Sequence, residues 1–191
     1  MVQSATLLLL AGGKSRRMGR PKPLLPVGRS TLVEWMVERL APGFDQLLVS
    51  ARDERQLPER LRTHLVLDLH PGAGPLAGIE AGLAASRHQA LVAVACDMPG
   101  VGLELTRRLL AASEGHDAAV PRVGERPEPM CAAYRRSAGP PISALLDAGR
   151  RQAAAALREL DVAWLDGEPP GQFADLDTPE DYARFLDVLR K

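Results

Sequence analysis

The sequence predicts an α/β domain: a mostly parallel twisted sheet with helices on both faces. Three observations carry this. Apolar runs of strand length alternate with stretches of helical periodicity, the pattern of βαβ units. Two of the helical stretches open on recognisable cap residues. The wholly apolar run 91–96 stops at an acid, Asp97, followed two residues later by Pro99, which breaks a strand.

In chain order, the first strand is Thr6 to Leu10, running straight into Gly12-Gly13. A helix follows over 31–40, with Thr31 and Glu34 as a capping box and Leu32, Val33, Met36, Val37 and Leu40 as its apolar stripe. Strands are expected over 46–51, 64–67, 90–95, 117–120, 130–134 and 162–165. Helices are expected over 53–61, 76–86 and 102–113, with an alanine-rich one over 152–160. The last helix starts from Thr178 as N-cap, Pro179 in the first turn and Asp181 three residues on; Tyr182, Phe185, Leu186 and Leu189 form its expected buried face. Residues 122–129 carry two charges of each sign and two prolines and read as a flexible loop, either a lid or a solvated excursion. No linker, repeat or low-complexity tract divides the chain, so 1–191 is expected to be one Rossmann-like domain.

Composition narrows the function classes. Lys+Arg and Asp+Glu are both 24, so a nucleic-acid binder relying on global charge is disfavoured while a local basic site is allowed. Cys96 and Cys131 make neither a metal spacing nor a disulfide framework, and the four histidines form no H-x-x-x-H cluster. The start lacks a basic signal-peptide region and no run approaches a membrane span. A cytoplasmic chain without membrane or nucleic-acid partners is expected.

The chemistry concentrates in the first strand and the loop after it. Leu10-Ala11-Gly12-Gly13 leads into Lys14, Arg16, Arg17, Arg20 and Lys22. Glycines let the backbone approach a ligand, backbone N–H groups point at anions, and the cations add charge. Together they describe a polyphosphate cradle. It is not a P-loop, because Gly13 and Gly19 are one residue too far apart and Arg20-Pro21 follows. Nor is it the G-x-G-x-x-G dinucleotide fingerprint.

Ligands of open parallel sheets bind beyond the carboxyl ends of strands. That rule selects Ala11-Gly12-Gly13, Ser50, Asp68 and Asp97. Two strand-end acids beside a phosphate loop suggest Mg²⁺. Asp97 reads as metal ligand rather than helix cap, since Pro99 and Gly102 put the next helix further on. Asp68 reads equally well as a turn acid before Pro71-Gly72. The segment 71–78, ending in Gly78, is a second glycine-rich loop opening a helix. Asp175 and Asp177 alternate along an extended piece and so face one side.

The order L-A-G-G-x-S-x-R-M-G-x-x-K-x-L-L over 10–25 resembles the opening signature of nucleotidyltransferases. Its Gly12-Gly13 pair is similar to that of the molybdenum cofactor guanylyltransferase family, within the nucleotide-diphospho-sugar transferase fold. The segment G-P-L-A-G at 74–78, C-D-x-P at 96–99 and P-x-x-A-x-Y at 129–134 extend the resemblance over nearly the whole chain. It implies a Mg²⁺-dependent enzyme that transfers GMP from GTP to the molybdopterin-bound molybdenum cofactor, with pyrophosphate as second product. Proteins delivering the cofactor to molybdoenzymes are implied partners. The resemblance assigns Leu10, Ala11, Gly12, Gly13, Arg16, Lys22, Ser50, Asp68, Gly78 and Asp97 to the nucleotide, with Asp97 on the metal. Lys22, Asp97 and Arg17 would be catalytic, Arg16 and Arg17 holding the β- and γ-phosphates. Asp175, Asp177 and Arg135 would serve the second substrate or a second metal. Departures are present: Ser50 stands where many relatives carry Asn, and both Asp175 and Asp177 are acids. Residues 25–32 resemble the cytidylyltransferase relatives as much. CTP as donor, and a non-catalytic nucleotide-binding adaptor in cofactor delivery, are the alternatives.

Overall fold

The computed structural model describes residues 4–12, 19–70 and 72–190. Gly13, Arg16 and Arg17, expected to hold phosphate, lie outside the described residues, as do Lys14 and Pro71.

The described strands are β1 (Thr6–Leu10), β2 (Pro26–Val27), β3 (Ser30–Thr31), β4 (Gln46–Ala51), β5 (Leu65–Leu67), β6 (Ala90–Ala95), β7 (Ala118–Val123), β8 (Arg126–Pro127), β9 (Cys131–Arg135) and β10 (Val162–Leu165). The helices are α1 (Leu32–Leu40), α2 (Pro75–Ala85), α3 (Leu103–Ala112), α4 (Gly139–Asp147), α5 (Ala153–Ala156) and α6 (Pro179–Leu189). The main sheet runs β10-β7-β9-β6-β1-β4-β5, with β8 paired to β7. β1 is parallel to both neighbours, β4 and β6. β9 breaks the sense, lying antiparallel to both β6 and β7, and the short β8 is antiparallel to β7 as well.

Period-two alternation explains the layering. In β1, Leu7 and Leu9 enter the core on one face with Val33 and Met36 of α1 and Leu105 and Leu109 of α3. Leu8 and Leu10 enter the other with Leu76 and Ile79 of α2 and Ile142 of α4. A strand apolar on both faces needs helices on both, and these four supply them. Gly82 of α2 lets the helix lie on the sheet: a Cβ there would sit 2.4 Å from Leu8 Cδ2.

Several expectations are corrected. Residues 53–61 form two 3₁₀ turns, Glu54–Gln56 and Glu59–His64, not an α-helix. Pro58 pushes the residue before it out of the helical region, and Leu57 is extended at φ −121°, ψ 146°. The alanine run 152–160 yields only one turn, α5. Helix α4 was not expected, though Pro140 and Pro141 open it and Ile142, Leu145 and Leu146 form its buried side. The 122–129 segment is the β7–β8 hairpin. The expected apolar face of α6 is not buried: Tyr182, Phe185 and Leu186 are half-buried and Leu189 is exposed. Both capping boxes form, Glu34 accepting from the Thr31 N–H at 2.7 Å and Asp181 from the Thr178 N–H at 2.9 Å. No helix among the described residues is long and apolar enough to cross a membrane.

Candidate active site

The carboxyl ends of β1, β4 and β6 are level with one another. The Ala11 N–H donates to the Ser50 carbonyl at 2.8 Å, and the Cys96 N–H donates to the Leu10 carbonyl at 3.1 Å. The sheet changes winding direction at β1, because β4 and β5 lie on one side and β6 on the other. A crevice must open outside such a point. It is a cavity of about 110 Å³, walled by Leu10, Ala11, Gly12, Ser50, Asp68 and Asp97, with Lys22 at its mouth. Gly74 and Pro75, at the N-terminus of α2, close another wall. Gly74 holds φ at 81°, a conformation that favours glycine, and turns the chain so that the helix begins at the cavity.

Lys22 organises the mouth. It starts a 3₁₀ turn behind Pro21, and its ammonium donates to Asp97 Oδ2 and Asp177 Oδ1, both at 2.6 Å. Burial works to lower its pKa, but the hydrogen bonds to Asp177 and Asp97 and their charges outweigh it, so the ammonium stays above its ordinary value. Asp97 caps no helix, since α3 begins at Leu103 behind Gly102. Its carbonyl accepts the Leu176 N–H at 2.9 Å, and this bond draws the 175–177 segment across the β6 end. Asp177 therefore meets the site through Lys22, while Asp175 lies within reach of the Asp97 and Asp177 charges and lines the neighbouring cavity. Asp175 Oδ1 is buried and has no hydrogen-bond partner. Burial, then the charges of Asp97 and Asp177, push its carboxyl up to about 6.

Asp68 accepts from the Ser50 hydroxyl at 3.1 Å, and burial raises its pKa. A second depression of about 230 Å³, lined by Arg52, Leu67, Asp68 and Gly72, continues from it. Gly78 lies a turn inside α2 rather than on the cavity wall. A Cβ there would stand 2.5 Å from Ser50 Oγ and 3.1 Å from Leu10 Cδ2, so its smallness seats α2 against the strand ends. Arg135 is not brought to the site. It pairs with Ala90, the first residue of β6, because β9 runs antiparallel and ends at the opposite sheet edge from Asp97. The Cys96 thiol borders the cavity, but full burial pushes its pKa far up, which removes it as a nucleophile.

Some contributors escaped the sequence. Met130 lines the cavity, and the charge of Glu128 reaches Asp175. Glu128 is a lone acid between Pro127 and Pro129, a signal that an excursion is pinned. A further cavity, of about 470 Å³, lies between α1, α6 and the 171–176 segment. It is lined mainly by apolar side chains such as Trp35, Phe185 and Leu189, and Asp175 stands on its wall as well.

Oxygen donors at this mouth suit a hard divalent cation. Lys22 already places a positive charge between two carboxylates, and Asp175 Oδ1 lacks a counter-group. No three His, Cys, Asp or Glu side chains among the described residues converge to cage an ion. Mg²⁺ fits such a partial site, because it completes its shell with phosphate oxygens and water.

A family profile described as "MobA-like NTP transferase domain" matches residues 7–163. The chain belongs to that family. A MobA-like relative from Pelotomaculum thermopropionicum, a probable molybdenum cofactor guanylyltransferase, is 42% identical over 132 residues, 69% of this chain and 64% of that protein. The molybdenum cofactor guanylyltransferase of Cereibacter sphaeroides is 36% identical over 188 residues, 96% of each. The crystal structure of molybdopterin-guanine dinucleotide biosynthesis protein A from Archaeoglobus fulgidus superposes with a TM-score of 0.82 at 29% identity, covering 97% of this chain and 98% of that one. A cytidylyltransferase from Thermus thermophilus, at 21% identity and a TM-score of 0.72, shares the fold. The MobA-like assignment makes this chain a nucleotidyltransferase of that fold class.

Proposed function

We propose that the chain is a Mg²⁺-dependent guanylyltransferase that moves GMP from GTP to the molybdopterin-bound molybdenum cofactor and releases pyrophosphate. The observation carrying this is the ammonium of Lys22 held between Asp97 and Asp177 at the mouth of the strand-end cavity. The names of the Pelotomaculum and Cereibacter relatives support the base and the acceptor.

The triphosphate enters over Gly12, where the backbone is bare, with the α2 N-terminus facing it. Asp97, and Asp177 beside it, would hold the metal, whose charge would neutralise the phosphate oxygens. Entry of the donor frees Lys22 from its two carboxylates and passes its charge to the α-phosphate, the centre under attack. The terminal phosphate of the pterin attacks in line, the bond to the β-phosphate breaks, and pyrophosphate leaves with the pair of electrons. Asp175 and Asp177 fix the acceptor side. Phosphoryl-type transfer needs position and charge rather than a covalent nucleophile, which agrees with a Cys96 too high in pKa to attack. Asp68 and the depression beyond it take the nucleoside.

Purified chain, MgCl₂, GTP and molybdopterin-bound cofactor should release pyrophosphate, with GTP outcompeting CTP for binding. Preference for CTP would move the reading to cytidylyl transfer. Tight GTP binding with no pyrophosphate would leave an adaptor.

A further inference from the structure

Away from the reacting groups, one buried carboxylate has no part in the transfer chemistry. Glu80 sits in α2, one and a half turns below the cavity, and is 5% exposed. Its Oε1 accepts the Ser143 hydroxyl of α4 at 2.5 Å. Its Oε2 is buried and makes no hydrogen bond. Among the described residues, His70 Nε2 lies 3.5 Å from that oxygen. The same nitrogen lies 3.7 Å from Asp147 Oδ1, at the end of α4. A tie between α2 and α4 needs only the serine. A buried polar oxygen without a partner is costly, and the imidazole is the group beside it.

His70 stands at a telling place. It follows Asp68 by two residues and precedes Gly74, the N-cap of α2, by four. Its carbonyl accepts the Ala73 N–H at 3.0 Å, closing the turn between them. Asp68 and Gly74 both wall the strand-end cavity. Among the described residues here, Leu69 is 61% exposed and Gly72 has φ at 80°.

We infer that His70 is a positioning residue for nucleotide binding, held against Glu80 so that Asp68 and the α2 N-terminus stay at a fixed distance. The inference rests on the nucleotide reading above, and it deepens it. His70 touches no reacting atom. An unlatched loop would hold the binding-competent shape only part of the time, and apparent affinity falls by that fraction. The effect belongs in Kd and KM, with kcat nearly untouched.

The test uses the full chain and its His70→Leu, His70→Gln and Ser143→Ala variants. Mg·GTP binding is measured by calorimetry, and amide hydrogen exchange without ligand follows Leu69, Ala73 and Gly74. In His70→Leu these amides should exchange about tenfold faster, and the Kd for Mg·GTP should rise about tenfold. His70→Gln, which keeps a donor, should recover most of both. Ser143→Ala removes the other bond to the same carboxylate; it should lower the melting temperature and leave Kd unchanged. Unchanged loop exchange and unchanged Kd in His70→Leu would overturn the latch. An equal loss of affinity in Ser143→Ala would also overturn it, by assigning the effect to helix packing. If wild type binds no nucleotide while His70→Leu still loosens the loop, the nucleotide reading fails and the latch stands.

Discussion

Asp175→Asn should stabilise this protein at neutral pH and not in acid. In the folded chain the Asp175 carboxyl is pushed to about 6, against an ordinary 3.8, by burial first and then by Asp97 and Asp177. A carboxyl with a raised folded pKa costs nothing below its unfolded value. The cost appears as pH rises through the window from 3.8 to about 6 and is complete above it. The full shift would be worth about 3 kcal/mol at about 1.4 kcal/mol per unit. The side chain is only half-buried, and water screens part of that, so about 1–2 kcal/mol is expected. Asparagine keeps the shape and removes the charge, and its amide can donate toward the crowded carboxylates. Urea unfolding of wild type and Asp175→Asn in metal-free buffer, from pH 4 to pH 8, reads this directly. The stability difference should be near zero at pH 4 and reach about 1–2 kcal/mol by pH 7, or about 2–4 °C in melting temperature per kcal/mol. A constant difference across that range, or destabilisation at pH 7, would refute the claim that the three acids repel one another.

Asp97→Asn should fold normally yet lose about 10²–10³ in kcat, the scale of one electrostatic contact to the transition state; a variant with most of its turnover would remove Asp97 from the site. In the same variant the Asp175 carboxyl should titrate lower, because one of its repelling charges is gone, which carbon-detected NMR can follow. Gly78→Ala should cost about 1–3 kcal/mol by overpacking against Ser50 and Leu10, and pairing it with Ser50→Gly should recover part of that loss; full stability in the single variant would mean that α2 is not seated as closely as described.

What the sequence revealed follows from how local each cause is. The β1 and β6 strands were legible because an unbroken apolar run has one use beside helical stretches. Asp97 was legible because an acid closing such a run, ahead of Pro99, is hard to explain as a cap. Thr31 with Glu34 and Thr178 with Asp181 mark helix starts by chemistry within four residues. Causes that act across the chain were not legible. The resemblance that assigned Arg135 to the site is blind to strand direction, and the antiparallel register carries it to the other end of the strands from Asp97. Residues 53–61 look helical by composition, yet Pro58 forbids it. The Lys22–Asp177 contact joins positions 155 apart. The stripe of α6 promises burial, but too little of the fold reaches it, and Leu189 stays 44% exposed.

A crystal of the chain grown with Mg²⁺ and a non-hydrolysable GTP analogue tests the central claim most directly. The α-phosphate should lie within about 3 Å of Lys22 Nζ, with the ion bound to Asp97 and the lysine drawn away from Asp177. A nucleotide seated in the apolar cavity between α1 and α6, or a Lys22 still bridging Asp97 and Asp177 beside a bound triphosphate, would contradict it.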